Sequence, residues 1–126
     1  MKRAFLFSCI AVWLLGCDSG TLYENGEYSV SWVDSKRNQV LRFKHEGIIP
    51  ECLAKLGENE KFIIVEGISK KNESVFYIID KELHGSTWNK RKVQGIYGPM
   101  SYEEFEKERQ NLLANLQFTF VSNNCE

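Results

Sequence analysis

Histidine is almost absent from this 126-residue chain, with only His45 and His84. A zinc centre or a general base needs partners at defined spacing, such as His-x-x-x-His or a nearby cysteine pair, and neither histidine has one. Both are therefore expected as surface or turn residues, with no metal and no cofactor. No glycine-rich phosphate loop exists: Gly95 and Gly98 flank Ile96-Tyr97 and end in Pro99, which is turn chemistry. His84-Gly85-Ser86 lacks the Gly-x-Ser-x-Gly frame of a nucleophile elbow. Glu103-Glu104 and Glu106 with Glu108 lie in the first turns of a predicted helix, and nothing selects two carboxylates across one cleft. Positive charge is in no excess, at 16 basic against 17 acidic residues, which argues against nucleic acid as a partner. No apolar run reaches the ~20 residues that a membrane-crossing helix requires.

What is present begins at the N-terminus. Met1-Lys2-Arg3 is a short basic start, and Ala4 to Leu15 is apolar apart from Ser8 and Cys9. A positive head, an apolar stretch of this length and a small residue before the cut describe a secretory signal. Leu14-Leu15-Gly16-Cys17 resembles the lipobox of bacterial lipoproteins, in which the cysteine becomes the new N-terminus and carries the acyl chains. The resemblance implies removal of residues 1–16 and lipid on Cys17. Attached acyl chains contribute about 0.8 kcal/mol per buried CH₂, and more than one chain gives stable anchoring. Asp18 resembles the inner-membrane retention signal of enterobacterial lipoprotein sorting, with the outer membrane as the alternative destination.

Processing leaves 110 of 126 residues, enough for one domain, and takes Lys2 and Arg3 away, so 14 basic residues face 17 acidic ones. Cys9 leaves with the signal and Cys17 is acylated, so Cys52 and Cys125 remain as the one pair an oxidising compartment would join.

Asp18 to Glu27, with Gly20, Asn25 and Gly26, is polar and is expected to form a tether; ten residues reach at most ~35 Å. The single domain then runs from residue 28 to 126. Tyr28-Ser29-Val30-Ser31-Trp32-Val33 alternates apolar with polar residues, Asp34 to Asn38 is a turn, and Val40-Leu41-Arg42-Phe43-Lys44 alternates again. These predict an antiparallel hairpin with Leu41 and Phe43 on one face. Glu51 to Gly57 fits either one helical turn or a short strand. Phe62 to Glu66 and Val75 to Asp80 are apolar on consecutive residues, which predicts central strands covered on both faces. Lys81 to Gln94 is polar and is expected as an exposed loop.

The clearest signal comes next. Ser101-x-x-Glu104 is a capping box, with Met100 and Phe105 at the positions of a hydrophobic staple. Glu103, Glu104 and Glu106 put negative charge at the positive end of the helix dipole. Tyr102, Phe105, Arg109, Leu112, Leu113 and Leu116 follow helical spacing, predicting a helix from Tyr102 to Ala114 or Leu116. Gln117 to Val121 fits a last edge strand. Phe62-Ile63-Ile64, Tyr77-Ile78-Ile79-Asp80, Tyr97-Gly98-Pro99-Met100-Ser101 and Glu104-Phe105-Glu106 together resemble a family of small bacterial lipoproteins with no assigned chemistry. The resemblance implies a β-meander that ends in a Gly-Pro turn and an acidic-capped helix.

The expected fold is α+β: an antiparallel sheet of four to five strands with one C-terminal helix packed on it. The expected function is non-enzymatic protein binding at the envelope, facing the periplasm, as an immunity protein or inhibitor that neutralises a toxic effector. Trp88 with Lys90, Arg91 and Lys92 is the candidate partner-binding loop, weighed against Trp88 packing on the sheet edge with solvated charges. The alternatives are an assembly lipoprotein of an envelope complex and a small lipid-anchored hydrolase. The hydrolase would show a concave cluster holding His45 or His84 with a carboxylate and a hydroxyl.

Overall fold

The computed structural model describes residues 19–112 and 115–125. The expected signal sequence, with the expected lipidation at Cys17 and sorting residue Asp18, lies outside the described residues, as do Leu113 and Ala114.

The α+β class holds, and the strands divide into two antiparallel sheets. The first contains β1 (Ser19–Asn25), β2 (Tyr28–Val33), β3 (Val40–Phe43) and β4 (Glu46–Gly47), in that order. The second contains β5 (Cys52–Glu58), β6 (Phe62–Ile68), β7 (Ser74–Asp80), β8 (Ile96–Met100) and β9 (Phe120–Val121), in the order β8-β7-β6-β5-β9. Two α-helices lie within the connections of the second sheet among the described residues, α1 (Lys81–Thr87) after β7 and α2 (Tyr102–Leu112) after β8.

Alternation explains the layering. Tyr28 and Val30 on β2 and Leu41 and Phe43 on β3 turn inward, and meet Leu53, Leu56, Ile63, Val65, Tyr77 and Ile79 from the second sheet. The intervening residues of β6 and β7, Ile64, Phe76 and Ile78, point the other way and pack under Phe105 and Leu116. β6 and β7 are thus covered on both faces, by the first sheet and by α2, which is why they are apolar on consecutive residues. The hairpin of β2 and β3 forms in the register Tyr28–Phe43 and Val30–Leu41.

Two expectations change, and a third stretch takes one of its two expected forms. Residues 19–25, expected as a tether, form β1, whose Ser19 pairs with Val33 and whose Asn25 pairs with Tyr28. Residues 81–94, expected as an exposed loop, contain α1, capped by Asp80, whose side chain accepts from the Leu83 N–H at 3.0 Å. The stretch left open at residues 51–57 is a strand that pairs along β6. At the predicted capping box the Ser101 hydroxyl accepts from the Glu104 N–H at 3.2 Å, and Met100 and Phe105 share one apolar cluster.

The C-terminus returns to the start of β5. Cys52 and Cys125 form a disulfide with Cα atoms 5.7 Å apart. Beside it, fully buried Gln39 donates from Nε2 to the Leu53 carbonyl and accepts at Oε1 from Asn124 Nδ2 at 3.0 Å. Gly57 lies where this returning segment crosses β5: a Cβ there would sit 2.1 Å from the Gln117 carbonyl oxygen, so the crossing tolerates only hydrogen.

Candidate functional site

A groove of about 660 Å³ runs between β8 and the outward face of α2. Its floor is Phe62, Ile78 and Met100, the residues that alternation places opposite the inter-sheet core. Tyr97, 48 % exposed, forms one wall, and Asp80, Glu104, Lys107 and Glu108 form the rim. Glu104 and Glu108 are one helical turn apart, so the same periodicity that buries Phe105 lines them along the groove. β8 reaches this position because Gly98 adopts φ +136, and a Cβ there would meet the Phe76 carbonyl oxygen at 2.5 Å. The lining is an apolar trough with three carboxylates and one ammonium around it, suited to an apolar side chain flanked by cationic groups.

The candidate loop resolves differently. Trp88 is half-buried, its ring edge-on to Phe43 at 4.9 Å and to His84 at 5.5 Å. Lys90, Arg91 and Lys92 stay exposed beyond it. The structure therefore does not bring Trp88 to the surface as an anchor with the three cations. His84, expected at the surface or in a turn, is fully buried among Tyr28, Phe43 and Trp88. Its Nδ1 is hydrogen-bonded to the Tyr28 hydroxyl at 2.8 Å, and its Nε2 has no protein partner. Burial pushes the imidazole below its ordinary value of 6.5. Burial likewise raises the Tyr28 hydroxyl to about 12, helped by the charges of Glu27, Glu58 and Asp80.

A pH dependence of stability follows. Below pH 6.5 the unfolded chain binds a proton at His84 that the folded chain refuses. Stability is complete above that value and falls as pH drops, by up to about 1.4 kcal/mol per pH unit, until the folded imidazole itself titrates. Urea titrations between pH 8 and pH 5 are expected to show this slope in the wild type and a flatter one in His84→Phe. An equal slope in both would assign the dependence to other groups.

Glu58 gathers a second, partly buried cluster. Its Oε1 accepts from the Tyr23 hydroxyl and from Asn25 Nδ2 at 2.8 Å, and Oε2 lies 2.7 Å from Lys81 Nζ. Burial alone would raise this carboxyl, but the Lys81 pair and the two hydrogen bonds outweigh it and hold it below its ordinary value. Burial and the Glu58 contact push the Tyr23 hydroxyl up to about 12. The cluster joins β1, β5 and the start of α1, and so clamps the two sheets together. Nothing local announces it in the sequence, because its members are 35 and 23 positions apart.

His45 is exposed, in a left-handed turn at φ 72, and borders a concavity of about 400 Å³ with Glu24, Glu27, Ser29 and Ser31. Two of these groups are engaged elsewhere: Ser31 Oγ accepts from Arg42 Nε at 2.7 Å, and Glu27 pairs with Lys44 at 3.6 Å. Among the described residues no group of three or more His, Cys, Asp or Glu side chains is placed to hold a metal ion. The groove residues Tyr97, Ile78 and Met100 were legible only as strand, core and staple; their joint surface appears once β8 pairs with β7. No family model, no curated protein and no solved structure matches the chain.

Proposed function

We propose that the chain is a lipid-anchored envelope protein whose domain binds a protein partner without catalysis, as an immunity protein or inhibitor that neutralises a toxic effector in the periplasm. The observation that carries the binding reading is the groove between β8 and α2. Its trough is apolar, exposed Tyr97 stands on one wall, and its rim holds three carboxylates against one ammonium. Exposed tyrosine beside an apolar trough is the composition of protein interfaces, and a rim of net negative charge favours a cationic partner through faster association. The envelope anchor follows from the lipobox residues Leu14 to Cys17, and Asp18 supports the inner membrane as the destination.

The test is a crosslinked pull-down of the lipidated protein from its own envelope, read by mass spectrometry and repeated with Tyr97→Ala/Glu108→Lys. A single stoichiometric partner that disappears in the double variant is expected. A partner retained by the double variant would remove the groove from the binding reading. Deleting the gene is expected to sensitise cells to a self-delivered toxin. Unaltered survival beside toxin-bearing kin would overturn the immunity role, and an envelope defect without toxin would point to an assembly role.

The concavity at His45 favours a second reading, a small hydrolase, because an imidazole, carboxylates and hydroxyls share one recess. An esterase or peptidase activity abolished by His45→Ala would establish it, and an activity indifferent to that change would dismiss it.

A further inference from the structure

The strand directions sort the turns of the domain to two ends. β1 starts at Ser19 opposite Val33, at the end of β2. The turn after β2 therefore lies at the end where the chain enters the domain. The same end receives the start of β5, because the Leu53 N–H donates to the Gln39 carbonyl at 3.0 Å. Cys125 is bonded there to Cys52, and β6 and β7 meet there in the turn of Ser69 to Glu73. A recess of about 670 Å³, lined by Arg37, Asn38, Pro50, Ser69, Lys70 and Asn72, opens between the two turns. The opposite end carries the β1–β2 turn, the Glu58 cluster, α1 and the loop of Lys90 to Lys92. A seven-residue strand separates the ends by about 23 Å.

The entry end also carries exposed cations. Lys36, Arg37, Lys70 and Lys71 are exposed on its two turns, against exposed Asp34 and Glu73. Val33, 46 % exposed, stands beside them. The lipobox cysteine is only two positions before Ser19, a reach of at most about 7 Å. With β1 occupying the residues expected as a tether, no slack separates an acyl chain on Cys17 from this end of the sheet.

We propose that the entry end rests directly on the lipid surface, with Lys36, Arg37, Lys70 and Lys71 against anionic headgroups and the end carrying Trp88 held away from the membrane. This rests on the lipidation of Cys17. The domain is then oriented by its first strand, and the loop of Lys90 to Lys92 faces the periplasm.

The mature chain contains two tryptophans, one at each end: Trp32, paired with Gly20 at the entry end, and Trp88 at the other. The full-length protein, acylated by its own cells, is reconstituted into phosphatidylcholine vesicles with or without phosphatidylglycerol and with brominated acyl chains. Trp88→Phe leaves Trp32 as the reporter, and Trp32→Phe leaves Trp88. Quenching of Trp32 is expected to exceed that of Trp88 severalfold, to grow with phosphatidylglycerol, and to lose that growth in Lys36→Glu/Arg37→Glu/Lys70→Glu/Lys71→Glu. Equal quenching of both, or stronger quenching of Trp88, in protein whose mass includes the acyl chains would overturn the orientation alone. Protein that lacks acyl mass and leaves the vesicles unbound would overturn the lipidation reading and the orientation with it.

Discussion

Replacing Cys52 and Cys125 together by serine is expected to lower the free energy of unfolding by about 4 kcal/mol. The bridge closes a segment of 73 residues, and in the chain-entropy model a loop of that length restricts the unfolded ensemble by roughly this amount. The stabilisation sits mainly in the unfolded chain, so the folded contacts around the bridge should survive its loss. Gln39 still accepts from Asn124 and donates to the Leu53 carbonyl, and Phe120 still pairs with Leu56. The double variant is therefore expected to keep its native circular dichroism and to unfold at lower urea. Wild type in reductant should unfold at the same midpoint as the variant. A difference below about 1 kcal/mol would mean that residual structure in the unfolded chain already holds the ends together, and that the loop-entropy account fails here.

The elements legible in the sequence are those whose signal is local. Tyr28 to Val33 and Val40 to Phe43 alternate because each has one face in the core and one outside. Ser101 with Glu104 marks a helix start because the bond that satisfies the end is made within four residues. The division into two sheets was not legible. A strand's periodicity tells which of its faces is buried and says nothing about which neighbour it pairs with. β1 was missed because its residues include Gly20, Thr21 and Asn25 with only Leu22 and Tyr23 apolar, and it holds its shape by pairing with β2. α1 was missed because Gly85 and Thr87 are weak helix formers; the helix exists through the Asp80 cap and the burial of His84. Even the groove was half legible: the carboxylates of the helix were visible as dipole partners, while their position beside Tyr97 required the β7–β8 pairing.

Phe105→Ala is expected to cost about 3–5 kcal/mol and to loosen the helix that forms one wall of the groove. Phe105 is fully buried, stacked on Phe76 at 4.8 Å and on Phe118 at 5.9 Å. Among the described side chains of α2, Phe105 is the one fully buried apolar group, while Tyr102 is 60 % exposed and touches Phe76 only edge-on. Truncation at Phe105 therefore removes the main apolar contact between the described side chains of α2 and β7, leaving a void that the rigid sheet beneath cannot fill. The inter-sheet core lies on the other face of β6 and β7 and includes none of these residues, so it should persist. Trp88, packed on Phe43 and His84 on that other side, provides the internal control: its fluorescence should stay native while urea stability falls. Phe105→Leu, which keeps most of the volume, should cost less than about half as much. If the groove is where a partner binds, Phe105→Ala should also weaken that binding without touching any rim residue. A loss below about 1 kcal/mol, with Trp88 unchanged, would mean that α2 is held to the sheet by its termini instead of by this ring.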